Sequence, residues 1–374
     1  MKLWLMVLVA LVATTSGASM DDLDSWSFAS WGNNRASSVN VGDYLLASIS
    51  GWQDGDAKWY FDSVAVKANY RYSYREEYRS DVRTRVVAVV GNGSGVETYI
   101  NIGYAAPFVG WTSFETVFAV PADAKSLTVY HLIESDGWLQ TSRHHLTEEG
   151  PATLDKGAVS LNFDIDYLPD TRGNLEAIVA AMNGAGYPAT LSVIASGNLT
   201  EKSYPAVDEL KPLLNDSGFS VASHSMEHPH MWGLNNSRLL SEISGSRLSF
   251  LAKDIDARIF AYPYGEYDQG IIEAVKSARY SGARTSEEGF NFKGADPYRL
   301  YVHSVKRGVS ASQIREWIDY AAENRVWLIL VFYGLDASGT EYSVDPQVLT
   351  ATLEYLKYGN IDVISIPQGI ELIS

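Results

Sequence analysis

From residue 25 to about residue 146, apolar and polar positions alternate in short runs such as "YLLASISGW", "TRVVAVVG" and "SLTVYHLIE". β-Branched and aromatic residues fill the alternating positions, and Gly, Asp, Asn or Pro mark the breaks, which is the period of half-buried strands. No helix-period segment interrupts them, so this half is expected to fold as an antiparallel sandwich of the jelly-roll kind.

After "EEGPATLDKG", residues 148–157, the period changes. Apolar runs of four to eight residues now alternate with helix-like stretches, the pattern of βα units around a buried parallel sheet. It predicts strands over 158–163, 189–194, 219–223, 258–262, 280–284, 300–305, 326–332 and 361–366. Helices are predicted near 171–185, 205–216, 236–253, 267–278, 311–323 and 345–358. Seven or eight such units predict an α/β fold with a (β/α) barrel, distorted or incomplete. A chain of 374 residues thus divides into an all-β unit over 20–150 and a barrel over 151–374.

Charge and cysteine content narrow the function. The formal net charge is −16, with acidic residues in excess in both halves, so neither half forms a basic module and nucleic acid is not an expected partner. Residues 1–19, "MKLWLMVLVALVATTSGAS", have the lysine, apolar run and small residues of a secretory leader. The expectation is a secreted or cell-surface protein with no membrane contact beyond that leader. The chain has no cysteine, so any metal site must use oxygen and nitrogen ligands.

In (β/α) barrels functional side chains stand at the carboxyl ends of the strands. Here the first strand ends in Asp164-Ile165-Asp166 and the third runs into His224 and His228. The fourth ends in Tyr262-Pro263-Tyr264, the fifth in Arg284, and the sixth passes His303. The seventh reaches Tyr333 and Asp336. Three of the seven histidines fall in "ASHSMEHPHM", residues 222–231. Asp166 with His224 and His228 makes a two-imidazole, one-carboxylate set that suits Zn²⁺, with Co²⁺, Ni²⁺ or Mn²⁺ as alternatives. Pro229 disfavours α conformation at His228, so the pair is expected on a turn after a strand. His230, beyond the proline, is expected to be solvated or to lie outside the ligand set.

These motifs, in this order, resemble the NodB-type polysaccharide deacetylases, the carbohydrate esterases of family 4, over residues 155–374. "NFDID" at 162–166 is similar to the family's aspartate motif, "SHSMEHP" at 223–229 to its metal motif, and "FAYPYGEYD" at 260–268 to its Pro-Tyr-Gly motif. The resemblance implies removal of an acetyl group, most often from nitrogen, from an acetylated polysaccharide by a metal-activated water. Asp164 would then be the general base, Asp166, His224 and His228 would hold one divalent ion, and the backbone N–H of Tyr264 would meet the oxyanion. Tyr262, Pro263 and Arg284 would line the substrate cleft. The chain departs from the family at two places. In "WLILVFYGL", residues 327–335, Tyr333 stands where the family has its general-acid histidine, and Phe260-Ala261 replace the arginine that orients the base. Tyr333, His303 or a metal-held water could serve the leaving group. The alternative is a degenerate relative that keeps a glycan-binding or surface role. Residues 109–141 resemble the closing strands of galactose-binding-like modules, with Trp52, Trp59, Trp111 and Trp138 as candidate ring platforms.

Overall fold

The computed structural model describes residues 18–20, 22–165, 171–196, 218–335 and 339–374. Asp166, Asp336, the helix expected near 205–216 and most of the leader lie outside them. Among the described residues no helix is long and apolar enough to cross a membrane.

Alternation builds the amino-terminal half as two antiparallel sheets. One runs in the order Phe108–Ala119, Tyr70–Ser80, Gly137–Pro151, Leu45–Ser50, Arg35–Asn40. The other runs Ser27–Trp31, Asp56–Tyr60, Ser126–Ile133, Thr84–Gly91, Glu97–Ala105. Leu45, Tyr74, Phe118, Leu127 and Val129 point between the sheets and are almost fully buried, while Glu77, Arg79 and Ser142 take the other face of the first sheet.

The second half is a closed barrel of seven parallel strands: β1 (Ala158–Asp164), β2 (Ala189–Val193), β3 (Phe219–Ser223), β4 (Ile259–Ala261), β5 (Gly282–Glu288), β6 (Leu300–Val305) and β7 (Trp327–Phe332). Closure is made at β1, which pairs with β7 from Ala158↔Trp327 to Phe163↔Phe332 and with β2 from Asn162↔Thr190. The barrel is therefore closed by seven strands. The expected eighth shrinks to Asp362–Val363 beside the foot of β1.

Strand period sorts the side chains. Val159, Leu161 and Phe163 face the helices, where they pack with Leu175, Ile178, Ile314 and Leu353. Ala158, Ser160, Asn162 and Asp164 face the lumen, as the bond from Trp327 Nε1 to Ser160 Oγ (2.9 Å) and that from Asn162 to Ser192 Oγ (2.9 Å) require. The lower lumen is apolar, filled by Leu300, Val302, Trp327 and Ile329. It is stopped by a carboxyl-terminal helix, Ile366–Ile373, whose Ile366 and Ile370 enter the same cluster.

The eighth strand was expected to run over 361–366, but from Ile366 the chain turns helical. Ser365 and Gln368 form a capping box and Pro367 sits in its first turn, a start signal that outweighs the β-branched residues. Gly369 lies flat on Trp327, and a Cβ there would meet the indole at 2.1 Å.

Sandwich and barrel meet through specific bonds. Arg83 pairs with Asp268 at 2.8 Å, and Asn101 donates to Glu287 at 2.6 Å. Tyr301 Oη donates to the carbonyl of Asn101 at 2.7 Å, and Arg299 donates to that of Ile102.

Candidate active site

The upper lumen is polar. Asp164 ends β1 on its lumen side at 2 % exposure, and Arg284 on β5 is 3 % exposed with its guanidinium donating to the Asp164 carboxylate. Arg284 also donates to Ser192 Oγ at 3.3 Å, and Asn162 donates to Asp164 at 3.4 Å. Burial alone would push the Asp164 carboxyl up. The charge of Arg284, the nearby His224 and the bond from Ser192 outweigh it and hold the carboxyl below its usual range. The result is an ionised carboxylate fixed from one side.

His224 follows β3 and is buried. Its Nδ1–H donates to the carbonyl of Ala261 at 2.8 Å, which leaves the lone pair on Nε2 and sets the ring's tautomer. His228 brings its own Nε2 to 3.1 Å from that of His224. Burial pushes His224 down to about 4; burial and its neighbour His224 push His228 down to about 3. Both rings are neutral at pH 7, the state that a metal ligand needs. Two imidazole nitrogens bound to one ion at about 2.0–2.1 Å stand close to this separation, so the pair fits a shared cation. Among the described residues no group of three His, Asp or Glu side chains could hold an ion. The third expected ligand, Asp166, lies outside those residues.

The turn carrying the pair is held from beneath. Ser225 and His228 adopt positive φ (66° and 57°), so His228 leaves the α region as Pro229 predicts, but for the left-handed rather than the extended basin. His228 N–H donates to Ser225 Oγ at 2.8 Å. The buried carboxylate of Glu242 accepts the N–H groups of Met226 (3.0 Å) and Glu227 (2.8 Å) and pairs with Arg238 at 2.8 Å. Glu242 lies in a π turn, Ser241–Gly245, inside the helical run that begins at Asn236, a local widening often found beside functional sites. Nothing in the linear pattern announces Glu242.

Pro263–Gly265 forms a single 3₁₀ turn with Tyr264 at φ 55° and ψ 11°. Gly265 has φ 69°, and a Cβ there would fall 1.9 Å from Ser286 Oγ, so both conformation and space demand glycine. Tyr264 is half exposed. Its ring stacks on His230 at 4.0 Å and lies against His228 at 4.6 Å, and its N–H has no partner among the described residues. His230, expected outside the ligand set, contacts Glu266 at 2.7 Å on the surface.

Three residues expected to touch substrate lie elsewhere. Tyr262 is fully buried because strand alternation turns it outward, into a cluster with Phe260, Tyr267 and Tyr280, where it donates to the carbonyl of Tyr298. Pro263 is buried beneath the turn. Arg284 is turned onto the Asp164 carboxylate, to which it donates from the strand next to the one that bears Phe260-Ala261. His303 faces the helix layer, stacked on Trp317 at 4.5 Å and paired with Glu288 at 2.8 Å, and cannot reach the lumen. Its neighbour Ser304 does face inward, 3.4 Å from Tyr333 Oη. Tyr333 is 6 % exposed, and burial, with the charge of Asp164 adding to it, pushes its phenol far above the usual range.

The family model described as polysaccharide deacetylase matches residues 152–283. A Bacillus subtilis (strain 168) protein named "Putative polysaccharide deacetylase YxkH" is 23 % identical over 212 residues, 52 % of this chain and 75 % of its own. A family 4 carbohydrate esterase from Streptomyces lividans, solved in complex with acetate, is 20 % identical with a TM-score of 0.38, over 58 % of this chain and 96 % of that one. A structure titled "CBM4 structure and function" is 13 % identical with a TM-score of 0.25, over 35 % of this chain and 90 % of the other. The segment that carries Asp164, His224, His228 and Tyr264 therefore lies within the stretch, residues 152–283, that matches the polysaccharide deacetylase family model.

Proposed function

We propose that the barrel removes acetyl groups, chiefly N-acetyl, from a polysaccharide outside the cell, with one divalent metal ion held by His224, His228 and Asp166. The observation that carries this reading is the pair of neutral imidazoles converging at 3.1 Å on the rim where Asp164 is held ionised. Zn²⁺ suits such a donor set best, with Co²⁺, Ni²⁺ or Mn²⁺ as alternatives. When bound, the ion supplies Lewis acidity toward the acetyl carbonyl and its water.

The chain's own groups do the rest. Asp164 accepts a proton from the water that adds to the acetyl carbon, and Arg284 keeps the carboxylate charged and aimed. Tyr264 N–H donates to the oxygen on which negative charge develops. The bond from the acetyl carbon to the sugar nitrogen then breaks as that nitrogen takes up the proton that Asp164 removed from the water, releasing acetate and a free amine. Tyr333 can donate a hydrogen bond to the departing nitrogen, but a phenol pushed so high transfers its proton poorly at pH 7.

Elemental analysis of protein purified without chelator should find about one divalent ion per chain, and His224→Ala should lose it. Acetate release from chitooligosaccharide, peptidoglycan or acetylated xylan should vanish with a chelator and return with Zn²⁺. A fully metal-loaded protein that releases acetate from none of them would sink the reading.

The raised phenol of Tyr333 favours a second reading, a degenerate enzyme that binds glycan without turnover. Tyr333→His puts a group near neutral pKa in that position. A wild type without turnover that becomes active in the variant would have lost only its acid. If the wild type is already active, kcat should rise about tenfold or more, and an unchanged kcat would show that leaving-group protonation does not limit the rate.

A further inference from the structure

The sandwich carries a second concavity, separate from the barrel lumen. It crosses the outer face of the first sheet, from Tyr44 at the start of Leu45–Ser50, over Ser142 and Arg143, past Glu77, to Trp111 on Phe108–Ala119, and encloses about 580 Å³. The registers Leu45↔Thr141, Ser142↔Glu77 and Glu77↔Ser113 make these four adjacent strands, so the groove runs across them for roughly 14 Å at the usual strand spacing. Irregularities between Ser142 and His145 and between Phe108 and Thr112 fall at two of its walls. Such bulges re-aim side chains out of the pleat.

Its lining is specific. Trp111 is 40 % exposed, meets Tyr44 edge-on at 6.1 Å, and has the Arg79 guanidinium over its ring at 4.9 Å. Arg79 is in turn fixed by Gln140 at 2.6 Å, and Arg143 by Glu77 at 2.9 Å. The lining sets Asp43 and Glu77 against Arg143, with the Arg79 guanidinium over the Trp111 and Tyr44 rings, so the groove carries donors and acceptors without an excess of positive charge. Trp59, by contrast, is half buried and donates to the carbonyl of Leu46, as a core tryptophan does.

We propose that this groove binds an uncharged glycan chain, with Trp111 and Tyr44 as the surfaces on which sugar rings lie. A pyranose offers an apolar C–H face to an aromatic ring and hydroxyls around its rim, which match a ring platform walled by fixed polar pairs. A peptide strand would need an open sheet edge, whereas this groove lies on a face. A polyanion would need unbalanced positive charge.

The test is affinity electrophoresis of the full chain in native gels containing hydroxyethylcellulose, glycol chitin or acetylated xylan, with polygalacturonate as the charged control. At least one neutral polymer should retard the protein. Trp111→Ala should weaken that association about tenfold or more, Tyr44→Ala should act in the same direction, and Trp111→Phe should keep most of it, all with unchanged melting temperature. Retardation by none of the three neutral polymers, equal retardation by polygalacturonate, or wild-type retardation of Trp111→Ala would overturn the proposal. Acetate release from a short soluble acetylated oligosaccharide is read separately and should not change in Trp111→Ala. A chain that binds polymer but releases no acetate would sink the proposed reaction and leave the groove standing.

Discussion

Asp164→Asn is expected to lower acetate release by about 10²–10⁴-fold, the usual range for loss of a positioned general base. The amide keeps the shape and can still accept a bond from Arg284, but it cannot take a proton from water. The fall should therefore lie in kcat, with KM little changed. Because Asp164 is buried and ion-paired, the variant also loses stability. Rates must accordingly be compared well below its melting temperature, with bound metal quantified in parallel. Metal content near that of the wild type with a collapsed kcat would fit the role assigned to this carboxylate. More than a tenth of wild-type activity in such a sample would reassign the base.

Arg284→Met is expected to give the largest loss of stability in the site. Arg284 and Asp164 are both nearly inaccessible, and removing one partner leaves the other charge buried, a cost of about 3–5 kcal/mol. In the wild type the folded carboxyl lies below its unfolded value, so its contribution to stability is full above about pH 4 and is lost as pH falls through the folded value. In the variant burial is opposed only by His224 and the bond from Ser192, and loss of the guanidinium is expected to raise the folded carboxyl above the unfolded value. The sign then reverses: the deficit is greatest at neutral pH and shrinks toward pH 4.5. Urea midpoints at pH 7 and pH 4.5 read this directly, and a deficit that grows in acid would exclude the assignment. The same shift moves the acid limb of kcat/KM to higher pH, with a loss of about 10–100-fold at pH 7 of the kind found when a group supporting a functional residue is removed. Adding Asp164→Asn to the methionine variant should recover part of the stability, since two contacting residues do not act additively.

The apolar runs placed all seven barrel strands, because burial on both faces writes itself into composition. The carboxyl-end rule brought Asp164, His224, His228 and Tyr264 to one rim. It could not say which way a strand residue points. Tyr262 and His303 lie at strand ends like the others, and only the register set by barrel closure turns them outward. Arg284 was visible as a polar residue at the end of the fifth strand expected over 280–284, but its pairing with Asp164 spans 120 residues and depends on lumen geometry. Glu242 gives no linear signal, since its role arises from a π turn under a loop 16 residues earlier.

The strand that bears Arg284 is also the one that grips the sandwich: β5 runs on to Glu287, which takes bonds from Asn101 and Tyr104. Cutting the chain near residue 151 would therefore not liberate a self-sufficient barrel. The severed barrel would bare Glu287, Arg299 and Tyr301 to solvent, loosen the top of β5, and slacken the guanidinium that keeps the Asp164 carboxylate charged.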